Sequence, residues 1–350
     1  MNKKSVLFLV FALIISIFIA GCGDSGSKST ADTKKPAETK KITVGMLRLT
    51  SSAPLFIAID KGFFQEQGLE VTAEWFDAAH PIAVATASDK VDVGATGITA
   101  SLYNMVGSGQ KLTIVADKGR EEKGYPSSSL VVRKELYDQG ITTIEQLKGK
   151  KIGITQKGST FQYMLGRLLE SKGLTLDDVE VVPLGKLSSV MASLEGDQID
   201  AAILNEPNPT KVEKAGYGKV IVQIGDVIEY QTSGIFFSPK MNQDADTAVR
   251  FMKAYIKACN YYYDAVLVKK DGKSVPGANY DEVISIIAKY TNMPVEDIKL
   301  GLPYIDRDGK LLATDIETQI NWYNKENLLE KKIEAKDIVN TTFFDKAKEK

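Results

Sequence analysis

The sequence predicts an α/β protein: two blocks of alternating strand and helix, followed by a mainly helical C-terminal part. Three observations predict it. Residues 53–71, APLFIAIDKGFFQEQGLEV, sit between two strand-like runs and read with them as strand, loop, helix, strand. The same alternation recurs over 130–229. Beyond 238 the apolar residues fall at helical spacing, as at Phe251, Met252, Tyr255, Ile256, Cys259 and Tyr263.

The first 22 residues stand apart from this body. Lys3 and Lys4 precede an almost wholly apolar run over 6–20, which ends Ile19-Ala20-Gly21-Cys22. A basic start, a short apolar core and small residues at its end make a secretory signal over 1–21. The run is short for a membrane span. Its ending resembles a bacterial lipobox, in which the cysteine is lipidated and becomes the first residue. Residues 22–41 hold Gly, Ser, Thr, Lys and Asp with almost nothing apolar, a flexible tether.

The body opens with a strand over 42–47 and a polar loop, Arg48-Leu49-Thr50-Ser51-Ser52. Pro54 belongs in the first turn of the helix that follows, where its missing N–H costs nothing. Lys61-Gly62 ends that helix. Phe63 and Phe64 pack back, and a polar turn leads into a strand over 69–73. A helix over 82–88, a strand over 90–95 and a helix to Val106 come next, the last capped by Thr96 or Thr99. A strand over 111–116 closes the block. After a charged and then Gly-, Pro- and Ser-rich crossing at 120–129, the second block runs through strands at 130–133, 151–155, 179–183, 199–204 and 219–224. Helices at 161–171 and 187–194 lie between them. The runs 128–133 and 233–238 each begin with a small polar pair and continue apolar, and they read as two strands crossing between the blocks. Helices over 245–266, 280–290, 315–327 and 342–348 complete the chain.

Composition excludes several functions. The 43% hydrophobic and 25% charged residues are ordinary for a soluble body, and the net charge is −1, or −3 once Lys3 and Lys4 leave with the signal. There is no basic stripe for nucleic acid. With Cys22 lipidated, Cys259 is alone, so no internal disulfide forms, and Cys259 reads as a small buried apolar residue. The single histidine, His80, and the lack of G-x-S-x-G, H-E-x-x-H or C-x-x-C argue against an enzyme and against a metal or cofactor. Gly107-Ser108-Gly109 reads as a plain turn.

Four segments carry a resemblance: 53–71 above, ATASDKVD (85–92), GKKIG (149–153) and LEGDQIDAA (194–202). They resemble the substrate-binding proteins of ABC importers, in the nitrate/sulfonate/taurine-binding and pyrimidine-precursor-binding family. Ser88-Asp89-Lys90 departs from the Ser-Gly pair common there. The resemblance implies a type II periplasmic-binding fold, with a ligand in a cleft between two lobes joined by two crossing strands. The lobes would be 42–128 with 235–350, and 129–234. The implied partners are an ABC permease and ATPase, and the implied setting is a lipid anchor on the cell membrane, facing the periplasm or cell exterior. The protein is expected to act as a monomer.

Polar residues at strand C-terminal ends and helix N-termini are the expected ligand contacts. They are Arg48, Ser51, Ser52, Thr96, Arg120, Gly158, Ser159, Thr160, Asn205 and Glu206. Arg48, Lys118 and Arg120 are the cations placed to meet an anion, and Arg48 and Arg120 form the expected clamp. The favoured ligand is a small organic anion, a sulfonate or carboxylate. Glu206 would repel it, and taurine, which carries both charges, would reconcile the two. A neutral pyrimidine-like ring is the alternative. Two other classes stay open: a ligand sensor without transport, and a thiamine-pyrimidine type of biosynthetic enzyme, which the single histidine disfavours. One test follows from the N-terminus. Cys22→Ala should abolish metabolic lipid labelling and processing after Gly21; persistent labelling with membrane fractionation would show that the anchor lies elsewhere.

Overall fold

The computed structural model describes residues 39–349, which belong to one compact unit. The signal, Cys22 and all but the end of the tether lie outside the described residues. Two five-stranded sheets form the frame. The strands are β1 (Lys40–Met46), β2 (Leu69–Trp75), β3 (Val93–Gly97), β4 (Thr113–Glu121), β5 (Ser128–Arg133), β6 (Lys151–Ile154), β7 (Glu180–Pro183), β8 (Ala201–Asn205), β9 (Gly218–Gln223) and β10 (Tyr230–Phe237). The first sheet has the order β2-β1-β3-β10-β4 and the second β7-β6-β8-β5-β9.

Each sheet holds one strand antiparallel to its neighbours. In the first it is β10, and in the second β5. These are the two runs that look alike in the sequence, but neither crosses. Each lies wholly in one sheet, and the crossings are the segments just ahead of them, 122–127 and 224–229. The likeness marks equivalent places in two similar sheets. A strand that has just crossed enters against the direction of the parallel strands, which arrive through helical crossovers.

The first block carries α1 (Ala53–Asp60), α2 (Phe63–Glu66), α3 (Ala79–Ala87) and α4 (Ala100–Gly107). The second carries α5 (Lys134–Asp138), α6 (Thr160–Glu170), α7 (Leu187–Glu195) and α8 (Asn208–Ala215). The C-terminal part adds α9 (Pro239–Gln243), α10 (Ala245–Val266), α11 (Tyr280–Thr291), α12 (Val295–Ile298), α13 (Ala313–Lys325) and α14 (Thr342–Lys348). The expected helix over 245–266 matches α10, because its apolar stripe faces the first sheet and its N-terminus is capped by Asp244. Cys259 is fully buried in that helix as a free thiol. Thr99, rather than Thr96, caps α4.

Helix α13 packs on α4 and β10 on one side and on α6 on the other. One apolar core therefore runs continuously from Ile114 and Phe236 of the first sheet to Leu130 and Ile152 of the second. Aromatic rings seal this joint: Tyr163 of α6 stacks on Tyr230 at 4.4 Å and meets the edge of Trp322 at 5.0 Å. Gly166 is what lets the two helices approach, since a Cβ there would lie 2.2 Å from Trp322 Cζ2. Alanine would gain about 1 kcal/mol of helix propensity. Overpacking against a ring held by Tyr163 and Tyr323 costs about 1–3 kcal/mol. Gly166→Ala should therefore lower the stability measured by chemical denaturation, and a stabilised variant would show that the joint yields freely.

Candidate functional site

The C-terminal ends of β1, β3 and β4 face those of β6 and β8, and the loops that leave them meet. Ala100 N–H at the start of α4 donates to Gly158 O across the junction, at 3.1 Å. Gly158 has φ +73° and lies against Ala100, so a side chain there would be strained and crowded. Gly97 packs on the Thr160 methyl. On the far side, Lys211 of α8 pairs with Asp297 of α12 at 2.7 Å, and the Glu206 side chain packs against Gly301.

Between these contacts lies a cavity of about 260 Å³, lined from one lobe by Leu49, Thr50 and Met293 and from the other by Leu187, Met191, Asn205 and Glu206, among others. Its walls are largely apolar, with a few polar groups, as ligand sites are. Two oxygens of its lining residues, Asn205 Oδ1 and Glu206 Oε2, are buried without a hydrogen-bond partner. Glu206 is 5% exposed; its Oε1 accepts from the Thr210 hydroxyl at 3.1 Å. Burial pushes its carboxyl up to about 7, against the pull of the Thr210 hydroxyl and N–H.

Beside the cavity stands Lys118. Its neighbour in β4, Asp117, turns into the core, so Lys118 turns the opposite way. It is 2% exposed, and its Nζ donates to Ser51 Oγ at 2.8 Å, next in the chain to the cavity's Thr50. Burial pushes the amine down to about 7, partly offset by Asp117. A lysine ammonium has three donors, and one hydroxyl is the sole hydrogen-bond partner of this one among the described residues. Thr96 Oγ1 is buried and likewise unpartnered.

The other expected residues divide. Gly158 and Thr160 meet the start of α4 and the end of β3, Asn205 and Glu206 line the cavity, and Ser51 accepts from Lys118. Ser159 caps α6 through Gln162 N–H, and Ser52 donates to Leu47 O, so these two hydroxyls serve the turns around them. Arg48 is exposed, lies over the Trp75 ring at 3.9 Å and donates to Tyr290 O. Arg120 pairs with Glu122 at 2.8 Å and stands over Tyr304. Both guanidinium groups are thus engaged within their own surroundings. His80 sits in α3 with Nδ1 2.6 Å from Ser101 Oγ. No group of three or more His, Cys, Asp or Glu able to hold a metal occurs among the described residues. Met293 and Gly301 carry no signal in the sequence, since both come from irregular chain remote from the strand ends. Leu187 and Met191, one turn apart on α7, had a signal in their spacing.

Residues 49–265 match the family described as NMT1/THI5 like. The chain belongs to that family. It is 25% identical, over 99% of its length and 97% of the other's, to a Bacillus subtilis (strain 168) protein named as an aliphatic sulfonates-binding protein. Among solved structures, the alkanesulfonate-binding protein SsuA of Xanthomonas axonopodis pv. citri, bound to MOPS, superposes with a TM-score of 0.67. It is 17% identical, with 87% of this chain and 99% of that one covered. The periplasmic nitrate-binding protein NrtA of Synechocystis PCC 6803 gives 0.70 at 14% identity, over 89% and 88% of the two chains. This NMT1/THI5 like chain thus has the periplasmic-binding-protein fold. No helix among its described residues is long and apolar enough to cross a membrane.

Glu206 also yields a stability test. Its folded-state value, about 7, stands above the ordinary 4.5. The folded protein therefore holds a proton that the unfolded chain releases, and stability falls as pH rises from about 4.5 to 7. The full effect is roughly 3 kcal/mol. Glu206→Gln should match the wild type in thermal unfolding near pH 4 and exceed it at pH 8. Equal curves at both pH values would mean that the carboxylate is solvated or paired.

Proposed function

We propose that this protein is the solute-binding subunit of an ABC importer. Tethered to the membrane by lipid on Cys22, it captures a small organic anion of the sulfonate or carboxylate type between its lobes and delivers it to a permease and ATPase pair. Lys118 carries the reading. A buried ammonium with one hydroxyl partner is costly by itself, and an anion beside it offsets that cost. Ser51, Thr96 and Thr160 add hydroxyl donors, and the apolar cavity walls suit the rest of the solute. The sulfonate- and nitrate-binding relatives support an anion. Lys118 takes the part that the sequence offered to Arg48 and Arg120, whose charges are spent on Tyr290, Trp75, Glu122 and Tyr304.

A neutral pyrimidine-like ring is the second reading. The two unpartnered acceptors, Asn205 Oδ1 and Glu206 Oε2, favour it, since ring N–H groups would satisfy them.

Calorimetry with propane-1-sulfonate, nitrate and a hydroxymethylpyrimidine separates the two. Losing a charged hydrogen bond costs roughly 1.5–3 kcal/mol, or about tenfold or more in affinity. Lys118→Met should weaken sulfonate binding by that factor, whereas Arg48→Ala and Arg120→Ala should change it little. If Lys118→Met binds as tightly as the wild type, or the pyrimidine alone binds, the anion reading falls.

A further inference from the structure

An anion site with a carboxylate in its wall is a contradiction if that carboxylate is charged. The surroundings of Glu206 resolve it. Oε1 is already an acceptor, for the Thr210 hydroxyl. Oε2 is buried with no partner and packs against Gly301, on a residue that lines the cavity. Every other residue lining the cavity is uncharged. The charged groups near Glu206 do not neutralise it. From α8, the helix that follows it, Glu213 adds negative charge, and Lys211 is taken by Asp297 of α12. On the opposite side it meets the backbone of Gly301. Lys118 is bonded to Ser51.

We propose that Glu206 meets the anionic solute as a neutral carboxylic acid, donating its Oε2 proton to the bound anion, so that capture draws a proton from solution. The inference rests on the anion reading above. A carboxylic acid has one O–H donor, and that donor is free here because Oε1 faces Thr210. The hydrogen bond to an anion is charge-assisted and therefore among the stronger kinds. No covalent bond changes; one proton moves from buffer to Oε2. The upward push on this carboxyl from burial fits the role. Lys118, pushed down toward 7, draws a second proton as the anion restores its charge. Anion affinity should accordingly fall on the alkaline side, with each group contributing up to tenfold per pH unit.

The test is calorimetry of the full chain in detergent with propane-1-sulfonate, from pH 6 to 9, in two buffers of different ionisation enthalpy. The wild type should take up more than one proton per sulfonate at pH 8 and lose nearly a hundredfold in affinity per pH unit above that. Glu206→Gln keeps an N–H donor that does not titrate. It should bind about tenfold tighter than the wild type at pH 8, take up no more than one proton, and halve the slope of log affinity against pH. Glu206→Met has no donor and should bind at least tenfold more weakly at pH 6. The inference is overturned if Glu206→Gln keeps the wild-type slope and proton count, an outcome that leaves the anion reading standing through Lys118. If no sulfonate, carboxylate or nitrate binds at any pH, both readings fall. Should an alkylamine bind the wild type with proton release, Glu206 acts as a charged acceptor and the inference is again overturned. If Glu206→Gln does not fold, the wild-type proton count decides by itself: one proton or fewer at pH 8 overturns it.

Discussion

Gln231 holds the first sheet and the C-terminal segments packed on it to one geometry. Its side chain donates to Asp117 Oδ1 and to Ser233 O, and accepts from Leu312 N–H. Its backbone N–H donates to Asp315, and its carbonyl accepts from Gln319, which in turn accepts from the Tyr103 hydroxyl. Asp117 adds bonds from the N–H groups of Gly119 and Asp306. The network is buried, so every missing bond would cost the full desolvation of the group left behind. It ties β4, the strand before the first crossing, to β10, the strand after the second, and draws the 302–315 segment and α13 onto them. Asp117 keeps a shifted value near 6 despite three partners, because burial outweighs their help.

This network also aims the site. With Asp117 locked inward, strand alternation sends Lys118 to the face toward Ser51. A lysine there is desolvated by burial beside Ser51. Glu206 is desolvated by Gly301 and the apolar cavity wall. The protein thus buries an amine, Lys118, and a carboxyl, Glu206, each short of partners. Groups in that condition titrate near neutrality, where a bound solute shifts them most, and such shifts gather at functional sites. The arginines, by contrast, found a Trp or Tyr ring and a carbonyl or carboxylate close by. Guanidinium groups stack and fork readily, so their nearness to strand ends in sequence said little about where their charge would act.

Much of the frame was legible in the chain. The strand and helix periods placed both sheets, α10 and the C-terminal helices, and Pro54 stands at the start of α1 as expected. The likeness of 128–133 to 233–238 was a true signal, misread by one segment: it marks the antiparallel strand of each sheet, while the crossings are irregular and carry no period. That Asn205 and Glu206 line a cavity while Gly158 and Thr160 meet Ala100 and Gly97 follows the rule that strand ends in parallel sheets converge on one side. Ser52 and Ser159 show the limit of that rule. A hydroxyl at a helix start satisfies a neighbouring backbone group as easily as a ligand.

What the sequence determined by itself was local and periodic: the alternation of strand and helix, the apolar faces that pack them, the polar ends of the strands, and the basic-apolar-cysteine start. Each depends on neighbours within a few residues, and the chain states those directly. The tertiary structure alone decided which of three cations is buried with a single hydroxyl partner, that α13 packs on both β10 and α6, and that Gly301 and Met293 close over Glu206 from about a hundred residues away. Those outcomes turn on which groups exclude water from one another, and that is a property of chain segments meeting in space.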